Sequence, residues 1–446
     1  MRTLQIVKAY KHPKFVLLGL TVFALLLAVM AINSESISDT NYVAALGSAL
    51  IVSLVLPIGG FCGCVFMTIP FTSVLKLPIE AFSFMTLMQL LLIARCIFSN
   101  HVRLDMLMKI SSICVILELF PFVAYGQTIT NLILLIFNFL TFYCIYKLTQ
   151  ANKIEISHLL LCFSIGVFVA GTISLNYDIN IYELSGYRFA GLWTDPNFWG
   201  MFCLIGIVSL LIIGFKRPLL FIIFVPLILA LAYQGFLTLS RTFIVVSSLM
   251  IIVISIAYLR KSILGAIAIT IILAAAVYYA LPYAMDVFKE RGIQHDDISN
   301  GRFTQTTTFL EYIVNDIPAL CLGMGYNNIS NVNSVFHITK LATHNTYADL
   351  LIDFGIINIL IFGYILLCHK KYIKSMFRNI NSLPGIICCV LIFYIATLST
   401  LKYALIYLLL GMFCGFSSIK SNKKTNSKNT IRVSNAHIIS MIRHST

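Results

Sequence analysis

Four short stretches carry side chains able to act on a charged substrate: RFAGLWTDPN at 188–197, LSR at 239–241, GRF at 301–303 and THNTYADLLIDFGI at 343–356. Arg241 joins two apolar runs with hardly any loop between them, which puts its guanidinium at or just below a membrane interface, where an uncompensated charge is costly. Two readings stay open for it. It either snorkels to lipid phosphates or pairs with an acid, or it binds an anion. A diphosphate suits the planar fork of Arg, which donates two parallel hydrogen bonds and stays charged at any relevant pH. Arg188 shares its stretch with Trp193 and Trp199, the only two Trp in the chain. Interfacial anchoring would account for the Trp pair. Asp195 and Pro196 set up a turn, and Asn197 can begin the next apolar run. Arg302 gains meaning only in company with the other two.

His344 precedes Asn345, Thr346 and Tyr347 and then an apolar run. Asn345 or Thr346 would cap that helix, so local geometry holds His344 at its mouth. His344 is either a hydrogen-bonded neighbour of the cap or a base, and an imidazole ordinarily titrating near pH ~6.5 suits removal of a proton from a sugar hydroxyl. Asp349 and Asp353 follow one turn apart, placed to orient His344 or to pair with an Arg. No carboxylate pair, metal-ligand cluster, phosphate-cradling Gly loop or nucleophile elbow occurs in a fitting context, so neither metal nor cofactor is expected. His295-Asp296-Asp297 reads as a solvated acidic turn.

The elements that must position these residues follow from composition. Of 446 residues, 59% are hydrophobic and 11% charged, against about 25% charged in soluble domains. An all-α, polytopic integral membrane bundle is the reading. Apolar runs occupy 15–32, 79–98, 106–125, 128–146, 156–175, 197–214, 218–239, 242–259, 262–285 and 346–368. Stretches 42–75 and 384–418 exceed the ~20 residues of one span. Pro57, Gly59 and Gly60 split the first, and Ser399, Thr400 and Lys402 the second. About fourteen spans result, with both termini cytoplasmic.

That orientation puts 23 of the 31 Lys and Arg on the cytoplasmic side, as the positive-inside bias requires. The net charge of +14 is therefore topological. It forms no basic stripe interleaved with aromatics, and nucleic acid is excluded as a partner. A membrane domain over 15–418 is expected between a cytoplasmic tail (1–14) and a basic, disordered tail (419–446) with affinity for anionic lipid. Its longer outer loops are 176–196 and 286–345. The latter lies between the eleventh and twelfth spans and is large enough for a subdomain. Within it, 301–317 suits an amphipathic helix on the membrane surface, ended by Pro318 and followed by the tight turn LGMGYNN at 322–328. The twelve cysteines sit mostly inside apolar runs, as small buried hydrophobes do.

Taken together and in this order, RFAGLWTDPN, LSR, GRF with LGMGYNN, and HNTYADLLIDFGI resemble the O-antigen polymerase and O-antigen ligase superfamily of bacterial envelope glycosyltransferases. The resemblance covers about the second half of the chain; the first half matches only as a stack of spans. It implies a polyprenyl-diphosphate-linked oligosaccharide donor, bound at the periplasmic face of the inner membrane and attacked by an acceptor sugar hydroxyl without a metal ion. It also implies Arg188, Arg241 and Arg302 on the diphosphate and His344 as general base, with Asn197, Asn345, Tyr347 and Asp349 in support. Membrane lipids are the surroundings and a chain-length regulator an optional partner. Polymerase is the favoured activity, with ligase as the alternative. A lipid-linked oligosaccharide flippase is the competing class, although apart from Glu118 the spans carry almost none of the midplane charge that ion-coupled transporters use.

Overall fold

The structure, a computed structural model, describes residues 13–35, 39–77, 82–177, 188–193, 195–215, 218–259, 278, 302–328, 345–368, 386–387, 390–392, 394, 398 and 403–416. Among the described residues the secondary structure is helical, apart from one isolated bridge between Lys76 and Ser83. The helices are α1 (Pro13–Ile32), α2 (Thr40–Val55), α3 (Ile58–Thr68), α4 (Phe84–Phe98), α5 (Leu104–Ala124), α6 (Ile129–Gln150) and α7 (Ile156–Tyr177). There follow α8 (Pro196–Phe215), α9 (Pro218–Leu237), α10 (Arg241–Leu259), α11 (Arg302–Asn315), α12 (Ile317–Leu322), α13 (Thr346–Cys368) and α14 (Ala404–Phe416). Five are long and apolar enough to cross a membrane: α1, α5, α6, α7 and α8 over Pro196–Gly214. The expected span at 262–285 and the breakers at 399–402 lie outside the described residues.

The break at Pro57 is present. Proline disfavours helical backbone in the residue before it, and Leu56 is extended between α2 and α3. Helix α3 has 11 residues and is too short to cross a bilayer core of ~30 Å. Its residues from Gly59 onward are buried among α1, α4 and α7. Arg95, near the end of α4, closes the hairpin. It donates to Ser53 O at 3.3 Å and Leu56 O at 2.7 Å, and its guanidinium lies 5.0 Å from the Phe61 ring centroid. Ser53 lies in the last turn of α2, whose carbonyls lack helical donors, and Leu56 is the extended residue that caps it. Arg95→Met should lower stability by about 1.5–3 kcal/mol, the usual worth of hydrogen bonds to a charged group; thermal unfolding in detergent would show it.

Helix α8 is the hub. It is apolar around its whole circumference, the pattern of a helix enclosed on all sides, and its Pro196–Gly214 window is 100% buried beneath α7, α9 and α10. By contrast α5 leaves Met108, Ile116, Leu119 and Val123 exposed, a face suited to lipid because the helix satisfies its own backbone groups. Residues 125–128 bond to 326–328 and residues 188–189 to 237–238, and Trp193 and Asn327 line one cavity, so these segments share one end of the bundle. It is called the site end below.

Candidate functional site

At the site end the chain enters α8 through a cap. Pro196 occupies the first helical position, where its missing N–H removes nothing, and Asp195 Oδ1 accepts from Asn197 N at 2.7 Å. The same oxygen accepts from Asn197 Nδ2 at 2.9 Å, which sets the amide's orientation and points its carbonyl oxygen at two donors. Ser240 Oγ and Arg188 Nη2 both donate to Asn197 Oδ1, at 2.8 and 3.2 Å. Arg188 Nε donates to Thr238 O at 2.9 Å, and Phe189 N to Leu237 O at 3.0 Å. Ser240 also caps α10, accepting from Phe243 N at 3.3 Å, and Arg241 is the first residue of that helix. RFAGLWTDPN and LSR thus meet through the buried Asn197 side chain. Both Arg188 and Arg241 are half-buried.

The Trp pair is not an interfacial anchor. Trp193 and Trp199 are 2% and 0% exposed. Trp193 packs edge-on against Phe202 and Tyr403 at 5.0 and 5.2 Å, and Trp199 against Phe189 at 6.1 Å. Gly191, at φ 58°, lies over the Trp199 ring, where a Cβ would strike the indole. Burial wins because indole area is worth more against packed aromatics than at a headgroup surface.

LGMGYNN and HNTYADLLIDFGI meet as well. Helix α13 is broken at Gly355, whose φ is 67°. The break releases the carbonyls of Ile352 and Asp353, which accept from Met324 N at 2.7 Å and Gly325 N at 3.1 Å. LGMGYNN is therefore seated in a gap within HNTYADLLIDFGI, and a Cβ at residue 355 would meet Cys321 and the backbone of Gly323. Pro318 does not end the preceding helix, as the sequence predicts. It lies in the first turn of α12, where a missing N–H is tolerated, and the break falls at Asp316. Asp316 caps α12 through Ala319 N at 3.1 Å and accepts from the Tyr125 hydroxyl at 2.7 Å. Burial, then the Asp316 carboxylate, raises the Tyr125 phenol pKa. Helix α11 buries Ile313 against Tyr125, Met324 and Ile352.

Asn345 is the cap of α13, its Oδ1 accepting from Tyr347 N at 2.9 Å. The Thr346 hydroxyl donates to Leu398 O. Tyr347 is 52% exposed, whereas Asp349 and Asp353 are buried. His344 lies outside the described residues, as does the side chain of Arg302, whose backbone opens α11. Among the described residues no group of three or more His, Cys, Asp or Glu is placed to hold a metal ion.

Sequence reasoning missed a buried polar chain behind the turn. The Glu118 carboxylate accepts from Gln127 Nε2 at 2.8 Å and from Tyr326 N at 3.1 Å. The Tyr326 hydroxyl accepts from Asn138 Nδ2 at 2.9 Å, and Asn138 Oδ1 from Gln89 Nε2 at 2.9 Å. Lone amides within apolar runs were the available signal, because a polar group is kept there only with a partner. Glu118→Ala would take the acceptor from the Tyr326 N–H and from one N–H of the Gln127 amide, whose other bonds remain, at a cost of about 1–3 kcal/mol each. Faster proteolytic cleavage within 322–328 is the expected readout.

A helical bundle with several apolar crossings and cation-bearing loops gathered at one end defines a multi-pass membrane protein. Residues 226–363, from within α9 to within α13, match the family model described as O-antigen ligase. That match makes the segment similar to the O-antigen ligase family and supports the expected ligase and polymerase superfamily. The matched segment contains Arg241, Arg302 and His344 but not Arg188. A search of curated proteins finds no match to the chain.

Proposed function

We propose that the protein is a polysaccharide polymerase that joins polyprenyl-diphosphate-linked oligosaccharide units. The site end faces the periplasm, and both termini lie on the cytoplasmic side of the inner membrane. The observation that carries the reading is the link from Arg188 through Asn197 to Ser240, which draws two cation-bearing segments to one place. In the reaction an acceptor sugar hydroxyl attacks the anomeric carbon of the donor glycan and passes its proton to His344. The new C–O bond forms as the bond to the diphosphate breaks, and Arg188, Arg241 and Arg302 offset the charge on the departing diphosphate. Preorganised cations in a partly dry site are a large catalytic term because they need no reorganisation as charge develops. Asn197 aims Arg188, Asn345 fixes the helix that follows His344, and Tyr347 and Asp349 lie within the first turn of that helix. Membrane lipid surrounds the bundle, with a chain-length regulator as a further partner.

Purified protein given a synthetic polyprenyl-diphosphate repeat unit should yield a ladder of oligomers with chelator present. A ladder that chelator abolishes and magnesium restores would overturn the metal-independent step. The family description favours a second reading, transfer of the glycan to the lipid A core or another acceptor by a ligase. Complementation of polymerase-null and ligase-null strains, scored as glycan ladders, separates the two. Restoration of neither, with lipid-linked glycan transported across vesicles, would favour a flippase.

A further inference from the structure

Beside the arginine segments the site end holds a cavity of about 250 Å³ between the turn that follows α3, helices α4, α6 and α14, and the loop residues Trp193 and Asn327. Its lining is neutral and rich in hydrogen-bonding groups: the hydroxyls of Thr72, Ser83 and Thr86, and the amides of Gln89, Asn138 and Asn327. Among the described lining residues there is no Asp, Glu, Lys, Arg or His. Trp193 and Tyr403 supply aromatic walls, and Trp193 Nε1 is buried with no hydrogen-bond partner among the described residues. Gln89 is held by its nitrogen, which donates to Asn138 Oδ1 at 2.9 Å and Thr141 Oγ1 at 3.3 Å, and neither bond uses its Oε1. Thr72, Ser83, Asn327 and Tyr403 are only partly buried, so one side of the cavity is open.

This chemistry selects among ligands. A diphosphate or an anionic headgroup needs cations, and the described lining residues include none. An acyl chain would return no hydrogen bonds to the donors and acceptors that these side chains, already bonded to one another or to the backbone, still present, which is costly. A sugar ring matches both halves of the wall, since its hydroxyls donate and accept as amides and hydroxyls do and its C–H face packs on an aromatic ring. Trp193 belongs to the segment that begins at Arg188, which links the cavity wall to the place proposed for the diphosphate. We propose that this cavity is a subsite for one uncharged sugar residue of the glycan substrate. The proposal rests on the glycosyltransferase reading for its source of sugar, but its binding chemistry is testable without turnover.

With two Trp in the chain, Trp199→Phe leaves Trp193 as the sole indole reporter in the folded, full-length protein. Titration with free N-acetylglucosamine or galactose should give a saturable change in Trp193 emission, and glucuronate should give none. Thr86→Val removes one hydroxyl at nearly constant volume, and Ala404→Phe fills the space; each should weaken the response about tenfold, the order of one or two lost hydrogen bonds. In transfer assays the same variants should raise a KM about tenfold while kcat changes little. A rise in the donor's KM seats a donor sugar in the cavity, and a rise in the acceptor's KM seats an acceptor sugar. No emission change with either neutral sugar, an equal response to glucuronate, or unchanged KM values in a variant with native melting temperature would overturn the subsite. Sugar binding without any glycosyl transfer would leave the subsite standing and remove the polymerase reading, whereas transfer with a silent Trp193 would do the reverse.

Discussion

Arg188→Ala should lower kcat/KM for the lipid-linked donor by about 10²–10³, the usual loss on removing one preorganised group that stabilises developing charge. The guanidinium is held along one edge, by Thr238 O at 2.9 Å through Nε and by Asn197 Oδ1 at 3.2 Å through Nη2. That grip sets its plane before any ligand arrives. Arg188→Lys should lose nearly as much as the alanine variant, because an ammonium has no fork and cannot reach both acceptors at once. Asn197→Asp is the complementary test: it removes the Nδ2 donor to Asp195 and sets two carboxylates beside each other, so Arg188 would be drawn toward them. Donor binding, followed separately from turnover, checks the assignment. If Arg188→Lys retains wild-type kcat/KM, charge alone suffices and the fork geometry has no role.

His344→Ala should cost about 10²–10⁴ in kcat, the range contributed by a positioned general base, with little change in melting temperature. The cap at Asn345 is made by its own side chain and backbone, and the body of α13 is fixed by the turn seated at its Gly355 break. Neither requires the imidazole. Added imidazole should restore part of the turnover of His344→Ala, because a small base can enter the space left by the ring. A residue acting only as a cap neighbour would show no such rescue, and wild-type oligomer ladders from His344→Ala would remove it from the mechanism.

Much of the site's local structure can be read from residue types alone. Asp-Pro-Asn announces a cap followed by proline at the first helical position, and α8 begins there. Asn345 as a cap and Pro57 as a break have the same character, because the groups involved are neighbours in the chain. Pro318 shows the limit of such reasoning. A proline after an apolar stretch ends a helix or begins one, and Asp316, with its bonds to Ala319 and Tyr125, decides which. Trp193 and Trp199 show it again, since an amphipathic ring suits an interface and a core equally until its neighbours are known. Here those neighbours include Phe202, Tyr403 and Phe189. The break at Gly355 was hidden because an apolar run containing one glycine reads as a continuous helix.

Composition and hydropathy by themselves determined that this chain is a helical membrane protein, since no other backbone arrangement satisfies its own hydrogen bonds within so many apolar stretches apart from a closed barrel, whose strands alternate in polarity. They also placed the basic and polar clusters at the ends of those stretches. Which clusters meet was decided only in three dimensions. Asn197 has its orientation from Asp195, one partner, Arg188, from its own stretch, and the other, Ser240, from beyond the next two helices. LGMGYNN finds its donors' acceptors in carbonyls that exist only because α13 is broken. Hydrophobicity is a property of each residue and survives in a string of letters, whereas a hydrogen bond across the bundle depends on distance and angle, which folding alone sets.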